Sequence, residues 1–573
     1  MKRPRLKTRI TILSGIIILG ALVLIGRLYH IQVANSAQYQ AKAESQYVHT
    51  KTDLYTRGSI FFTTRDGTLL SAASVRAGYV LAANPTHLTL SPDEFCRAHE
   101  AYLDSSVARC VERLSTPGRT YIELAAQISD EEADAVKALD IDGALLYRSQ
   151  WRYYPGGSLA ARSIGFIGYS DDSTELHGKY GLERQYDEVL YQKRQVMSVN
   201  FFAELFSNLS DLVVKKEGIE TGDVVTSLEP SVSRMLDSVL QDTNDQYNST
   251  LTGAIIMDPY TGEIVAMNAV PGFDLNDRSE ATIEEFRNPL VEDVYEFGST
   301  IKALTMAAGL DSGAVTPQTT YYDAGSIELD EYTIRNYDGR GRGTVPMQEV
   351  LNQSLNTGVS YIVQKMGKDT FRDYFLGYKL GSETGIDLPN ETHGLVHNLQ
   401  SPRDVEYATA SFGQGIAMTP VETIRALATL ANGGVLVTPH LVTRVEYENG
   451  DSKEVRYPDG QQVLKPETSE EISRMLTVVV DDALLGGKVA LPNHTIAAKT
   501  GTAQIPDPIN GGYYEDKYLH SFFGYFPAFD PEFIVFMYTV EPQGVGYASE
   551  TLTEPFMDIT RFLINYYSIP PDR

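Results

Sequence analysis

At 573 residues the chain exceeds what a single hydrophobic core usually fills, so two or three domains are expected. Apolar residues make up 42% and charged residues 21%, which excludes a disordered or fibrous chain overall. Net charge is −27, although Lys2, Arg3, Arg5, Lys7 and Arg9 place five bases and no acid in the first nine residues; the 43 bases downstream face 75 acids, a body that repels phosphate backbones and excludes nucleic acid as a partner.

From Ile10 to Gly26 run 17 uncharged residues, which as a helix would extend about 26 Å. Arg27 can snorkel while Leu28, Tyr29, Ile31 and Val33 prolong the apolar face, so residues 1–9 are expected to be a cytoplasmic tail and 10–33 a transmembrane anchor. A signal peptide cleaved near Ala34-Asn35-Ser36 competes with this reading, but Arg27 and the apolar stretch beyond it do not suit a cleavage region. With the basic tail inside, everything after the anchor is extracytoplasmic, on the outer face of a cell membrane. Export permits a disulfide between the two cysteines, Cys96 and Cys110, and is equally compatible with a free pair. The ten histidines are scattered and no Cys/His group has metal-ligand spacing, so neither metal nor cofactor is expected.

Residues 34–215 mix extended patches such as Gly78 to Ala83 with stretches that read as helical, such as Ile122 to Leu139. The turn-rich run Lys215 to Gly222 reads as a joint, opening a linker at 216–245 that contains the helical pattern Pro230 to Leu240. A further domain, 246–573, begins with Thr252 to Ile256, the turn Asp258-Pro259-Tyr260-Thr261-Gly262, and Glu263 to Met267: strand, turn, strand. Helical patterns fill its middle at Thr300 to Leu310, Met347 to Met366 and Pro420 to Ala431. Strands return at Thr495 to Gln504, Ser521 to Tyr525 and Phe533 to Val540. Strands at both ends enclosing helices predict an α+β domain, with helices packed around a central antiparallel sheet whose terminal strands come together.

Three short motifs in that domain carry chemistry. In Ser299-Thr300-Ile301-Lys302 the serine and lysine stand three apart at a helix start, so hydroxyl and amine share a face. A serine nucleophile needs a base, and lysine can serve once burial or a nearby cation lowers its pKa. The helix start also offers backbone N–H groups to an oxyanion. Downstream, Ser354-Leu355-Asn356 places a hydroxyl and an amide where a backbone bend would turn them the same way, one as proton relay and one as a substrate hydrogen-bonding group. Finally Lys499-Thr500-Gly501-Thr502, on a strand, supplies a cation, two hydroxyls and a position without a side chain, an edge suited to an extended peptide ending in a carboxylate. Each motif alone is common. Their order and their placement in one domain make them specific.

The trio resembles that of class B penicillin-binding proteins, and the resemblance runs through most of the chain. It includes Arg57-Gly58-x-Ile60, Arg152-x-Tyr154-Pro155-x-Gly157, Gly181-Leu182-Glu183 with Tyr186, Asp258-Pro-x-Thr-Gly262, Arg287-Asn288, Gly413-Gln414-Gly415 and Thr419-Pro420. It implies an elongated pedestal of the penicillin-binding-protein dimerisation type at 34–215 and a transpeptidase domain at 246–573. The activity implied is a peptidoglycan D,D-transpeptidase: Ser299 would attack the D-Ala-D-Ala carbonyl of a stem peptide, with Lys302 as base and Ser354 as proton shuttle. Asn356 would orient Lys302 and the donor amide, Lys499, Thr500 and Thr502 would bind the terminal carboxylate beside Gly501, and the backbone N–H groups of Ser299 and Thr502 would form the oxyanion hole. β-Lactams would be inhibitors trapped on Ser299, and a lipid-II polymerase of the SEDS glycosyltransferase family would be the membrane partner. Three departures stand out: Phe297 and Ala303 occupy positions where such proteins usually carry proline, and the stretch from Ile60 to Gly67 is two residues longer than usual.

Three other readings compete. A class A β-lactam hydrolase or a sensor shares the acylation chemistry, but no Glu-x-x-Leu-Asn follows Ser354. A bifunctional class A enzyme would need a Glu-Asp-x-x-Phe glycosyltransferase signature, absent from 34–215. A non-enzymatic wall-complex scaffold would not need the intact trio. Ala43-Glu44-Ser45-Gln46 leans toward a division role and Gly181 to Tyr186 toward elongation; the balance leans to division.

Overall fold

The computed structural model describes residues 56–169, 175–191 and 221–573, with Gly15, Leu19, Gly20 and Val23. The expected anchor at 10–33 otherwise lies outside the described residues, as do residues 192–220. No helix among the described residues is long and apolar enough to cross a membrane.

The described chain forms two compact units. In the first, within residues 75–151, a strand at Ile122–Ile128 pairs antiparallel with residues 79–83. The helices Pro92–Ala98, Val107–Leu114 and Asp130–Ala138 share a core with it around Phe95, Leu114, Leu124 and Val136. Cys96 and Cys110 are bonded, joining the first two of these helices. The helix expected over Ile122 to Leu139 is corrected: its first half is a strand. Ile122, Leu124 and Ile128 are buried while Glu123 and Gln127 are exposed, and Ser129 starts the helix with a capping box to Glu132.

The second unit gathers residues 57–74, 152–192 and the chain from 214 onward. Its elements include the helix α1 (Pro230–Tyr247), strands β1 (Leu251–Met257) and β2 (Ile264–Val270), and helices α2 (Lys302–Asp311), α3 (Met347–Asn352), α4 (Asn356–Met366), α5 (Pro420–Ala428) and α6 (Pro466–Val478). Strands β3 (Ala497–Pro506), β4 (Tyr513–Phe526) and β5 (Phe533–Val540) and helix α7 (Thr553–Tyr567) follow. The five strands form one sheet in the order β3-β4-β5-β1-β2, every neighbour antiparallel. N- and C-terminal strands thus meet at β5 and β1, with Val535 opposite Ile256.

Both faces of the sheet are apolar. Along β5, Phe533, Val535 and Met537 pack with α1 and α7, whereas Ile534, Phe536 and Tyr538 face the core built on α2, α4, α5 and α6. This period of two with hydrophobic residues on each side is what a doubly covered strand requires. The single helix expected over Met347 to Met366 is two helices, interrupted at Gln353 to Leu355, where Ser354 takes φ +54°.

Motifs remote from the trio meet in a buried ion cluster of this second unit. Arg57 Nε and Arg152 Nε each donate at 2.6 Å to Glu183, one to each carboxylate oxygen, and Arg57 also reaches Asp187 at 2.7 Å. Arg152 further donates to the Gly58 carbonyl at 2.7 Å. A fully buried carboxylate is sustained only by such multiple charge-assisted bonds.

Candidate active site

Ser299 stands on a 3₁₀ turn, Gly298–Ile301, that runs directly into α2. Gly298 makes the turn with φ +61°, a conformation a side chain would resist; its amide donates to the Gly413 carbonyl at 3.2 Å. A Cβ on Gly298 would also approach the Thr502 carbonyl to 2.6 Å, so the turn lies directly against β3. Phe297, where proline was expected, is fully buried against Phe536 and Tyr538, its ring edge-on to Phe536 at 4.9 Å. Its carbonyl accepts hydrogen bonds from Ser521 Oγ (2.7 Å) and Thr300 Oγ1 (3.2 Å). Side-chain packing on the central sheet therefore holds the residue before Gly298 where a proline ring would otherwise restrict φ.

One residue past that turn, Lys302 points into the interior, 1% exposed. Its Nζ donates to the Ser354 carbonyl (2.5 Å) and to Ser354 Oγ (3.1 Å), and lies 6.0 Å from the Phe412 ring centre. Burial, with the nearby Lys499 cation adding to it, holds the Lys302 amine well below its usual pKa. Lys499, on β3 and 3% exposed, donates from Nζ to the same Ser354 Oγ at 3.1 Å and to the Thr500 carbonyl at 2.9 Å. Burial pushes its pKa down to about 7. The break between α3 and α4 thus places one hydroxyl between two buried amines that are 197 positions apart in sequence.

The remaining residues of the trio fall around this centre. Asn356, the first residue of α4, is half-buried and donates from Nδ2 to the Arg335 carbonyl at 2.8 Å; in this structure Lys302 is held by Ser354 rather than by Asn356. Thr500 is half-buried on β3, and Thr502 Oγ1 accepts from the Ala548 amide at 3.1 Å. Gly501 is placed differently from the sequence expectation. A Cβ there would meet Ser521 Oγ at 2.3 Å, the Phe297 carbonyl at 2.5 Å and the Thr300 nitrogen at 2.9 Å. The space freed by the missing side chain is filled by the turn that carries Ser299.

Sequence reasoning missed two contributors. Ser521 was noted only as a strand residue, yet it clamps Phe297. Glu296 accepts from the Tyr513 hydroxyl at 2.9 Å, joining the start of β4 to the residue three before Ser299; burial raises its pKa to about 7. Neither sits in a recognisable motif, and only three-dimensional proximity identifies them.

Known proteins match the chain over most of its length. Residues 252–560 match the family described as the penicillin-binding protein transpeptidase domain, and residues 52–218 match the penicillin-binding protein dimerisation domain. The chain belongs to the class B penicillin-binding proteins. Stage V sporulation protein D of Bacillus subtilis is 30% identical over 78% of this chain and 68% of its own length. Penicillin-binding protein PbpB of Mycolicibacterium smegmatis is 27% identical over 97% of this chain and 90% of its own. Among solved structures, penicillin-binding protein 2X of Streptococcus thermophilus superposes with a TM-score of 0.70 at 22% identity, covering 90% of this chain and 81% of that one. Penicillin-binding protein 3 of Mycobacterium tuberculosis, complexed with aztreonam, gives 0.67 at 22% identity over 91% and 98%. These two establish the shared fold.

Proposed function

We propose that Ser299 is the acylated nucleophile of a serine-type peptidoglycan D,D-transpeptidase that cross-links stem peptides during cell wall synthesis. The observation that carries this reading is the Ser354 hydroxyl held at 3.1 Å from both Lys302 and Lys499, beside the turn that presents Ser299. Relatives named peptidoglycan D,D-transpeptidase, such as the FtsI homolog of Mesostigma viride, 27% identical over 98% of this chain, support the reaction class.

Neutral Lys302 takes the Ser299 proton as Oγ attacks the carbonyl between the two D-alanines of the donor. Backbone N–H groups of Ser299 and Thr502 receive the oxyanion. Collapse breaks the peptide bond, and the proton held by Lys302 passes through Ser354 to the departing D-alanine nitrogen. An acceptor amine then attacks the Ser299 ester, loses its proton to Lys302 and regenerates the hydroxyl. With a pKa near 7, Lys499 is ready to become fully charged once a donor carboxylate arrives, since an opposite charge favours the ammonium. Thr500 and Thr502 complete that carboxylate site, and Asn356 takes the donor amide.

The same reading makes β-lactams acylating inhibitors of Ser299, 10–33 a membrane anchor with residues 1–9 cytoplasmic, and 34–215 a pedestal presenting an extracytoplasmic catalytic domain. A SEDS-family glycosyltransferase is the proposed membrane partner. Ser299→Ala is expected to abolish covalent labelling by a fluorescent penicillin while the melting curve stays close to wild type; labelling that persists would remove Ser299 from the role.

A further inference from the structure

Beneath the Ser354-Leu355-Asn356 segment lies a buried polar network that the mechanism above does not use. Asp323 ends the strand Thr320–Asp323 and is 1% exposed. One of its oxygens accepts from the Gly325 amide (2.9 Å), Asn336 Nδ2 (3.0 Å) and Thr357 Oγ1 (2.8 Å); the other accepts from Asn336 Nδ2 (3.0 Å) and the Arg342 amide (3.0 Å). So dense a shell of donors is what a buried carboxylate requires, because an anion taken out of water must have its lone pairs satisfied by the protein.

The network ends on the catalytic segment. Helix α4 starts at Asn356 with no side-chain cap of its own on the exposed amides of its first turn. A residue from elsewhere supplies that cap: Asn336 Oδ1 accepts from the Thr357 amide at 3.3 Å, while the single proton of Thr357 Oγ1 goes to Asp323. Asp323 holds the other end of the Asn336 side chain, fixing which way its amide points. Next to Asn336, the Arg335 carbonyl accepts from Asn356 Nδ2 at 2.8 Å. The left-handed backbone of Ser354, which the chain leaves to a serine and not to a glycine, therefore abuts a helix start tied down from outside.

We propose that Asp323 is a positioning residue for acylation: through Asn336 and Thr357 it fixes the start of α4, and with it the Ser354 carbonyl and hydroxyl that hold Lys302. This inference rests on Lys302 being the base. Loosening Ser354 admits water to a lysine whose neutrality depends on being dry, so the base becomes protonated at higher pH. Among the described residues, the charged group that perturbs Lys302 is Lys499 on β3, while Asp323 is flanked by Tyr321 and Arg342. Loss of the Asp323 charge acting directly on Lys302 would shift the base the other way, to lower pH, so the sign separates positioning from electrostatics.

The test is the pH profile of Ser299 acylation by a fluorescent penicillin, measured by stopped flow on wild type, Asp323→Asn and Thr357→Val. Wild type must show a rate that falls on the acid side; a flat profile overturns the base assignment, and the positioning role with it. In both variants the acid limb is expected to move up by about half a pH unit or more, slowing acylation on the acid side of the limb by about threefold beyond any loss at high pH. A uniform fractional loss at every pH, an unmoved limb, or a limb moved to lower pH overturns the proposal. Thr357→Val removes only the hydroxyl at the α4 end of the network, so it reports on positioning even if Asp323→Asn folds poorly.

Discussion

Replacing Gly501 by alanine should cripple acylation although the added methyl touches no reacting atom. Three atoms would lie within 3.0 Å of the new Cβ, and two of them, the Phe297 carbonyl at 2.5 Å and the Thr300 nitrogen at 2.9 Å, are backbone on either side of Ser299. Carbon contacts relax at about 3.5–4.0 Å, so the turn must retreat by roughly 1 Å. Retreat is opposed because Phe297 is fully buried against Phe536 and Tyr538 and its carbonyl is bonded to Ser521. Overpacking of this kind costs about 1–3 kcal/mol, and a misplacement of about 1 Å at a reacting group costs about 10²-fold in rate. Stopped-flow acylation by a penicillin should therefore slow by about a hundredfold, with a melting temperature several degrees lower. A rate within about threefold of wild type in folded Gly501→Ala protein would refute the argument that the missing side chain makes room for the nucleophile turn.

Lys302→Arg keeps the cation but cannot reach the neutral form, so acylation should fall by at least about a hundredfold; a drop below about tenfold would mean that another group is the base. Wild-type acylation should itself decline as pH falls through the depressed pKa of Lys302. For Lys499, a pKa near 7 in the fold against about 10.4 in the unfolded chain means that the folded state binds fewer protons between those values, so this lysine's contribution to stability rises with pH across that window. Lys499→Met should melt higher than wild type at pH 7 by a margin that shrinks toward pH 10, while losing donor binding; a lower melting temperature at pH 7 would contradict this.

How far the sequence could be read depended on whether a residue's role was local. Ser299 and Lys302 stood out as candidates because their spacing puts a hydroxyl and an amine on one face of a helical turn, and β5 was legible because six consecutive apolar residues suit a strand covered on both faces. The boundary at Ser129 lay in plain view as Ser129-Asp130-Glu131-Glu132, but the apolar residues before it also fit a helical period, and cross-strand pairing with residues 79–83 decided the outcome. The break at Ser354, which the Ser-x-Asn motif calls for, carries no local breaker residue. Gln353, Ser354 and Leu355 include no glycine or proline, and the helix start just after the positive φ is tied by bonds that Thr357 donates to Asn336 and Asp323, 21 and 34 positions before it. At Phe297 the sequence shows the proline that is missing and not the aromatic pocket on β5 that replaces it.

The hydrogen bonds at Lys302 also bear on the direction of proton flow in the proposed mechanism. A neutral amine has two N–H donors and one lone pair. Two acceptors, the Ser354 carbonyl at 2.5 Å and Ser354 Oγ at 3.1 Å, take the two donors. What remains is the lone pair, free for Ser299. Ser354 Oγ meanwhile accepts from Lys499 as well as from Lys302, which occupies both its acceptor positions and leaves its own proton to point elsewhere, toward a leaving-group nitrogen. Once Lys302 has taken the Ser299 proton, the resulting ammonium sits in a dry site with Lys499 nearby, an arrangement that disfavours the second charge and drives the proton onward through Ser354. Two lysines sharing one serine thus give the relay a direction that one lysine alone would not impose.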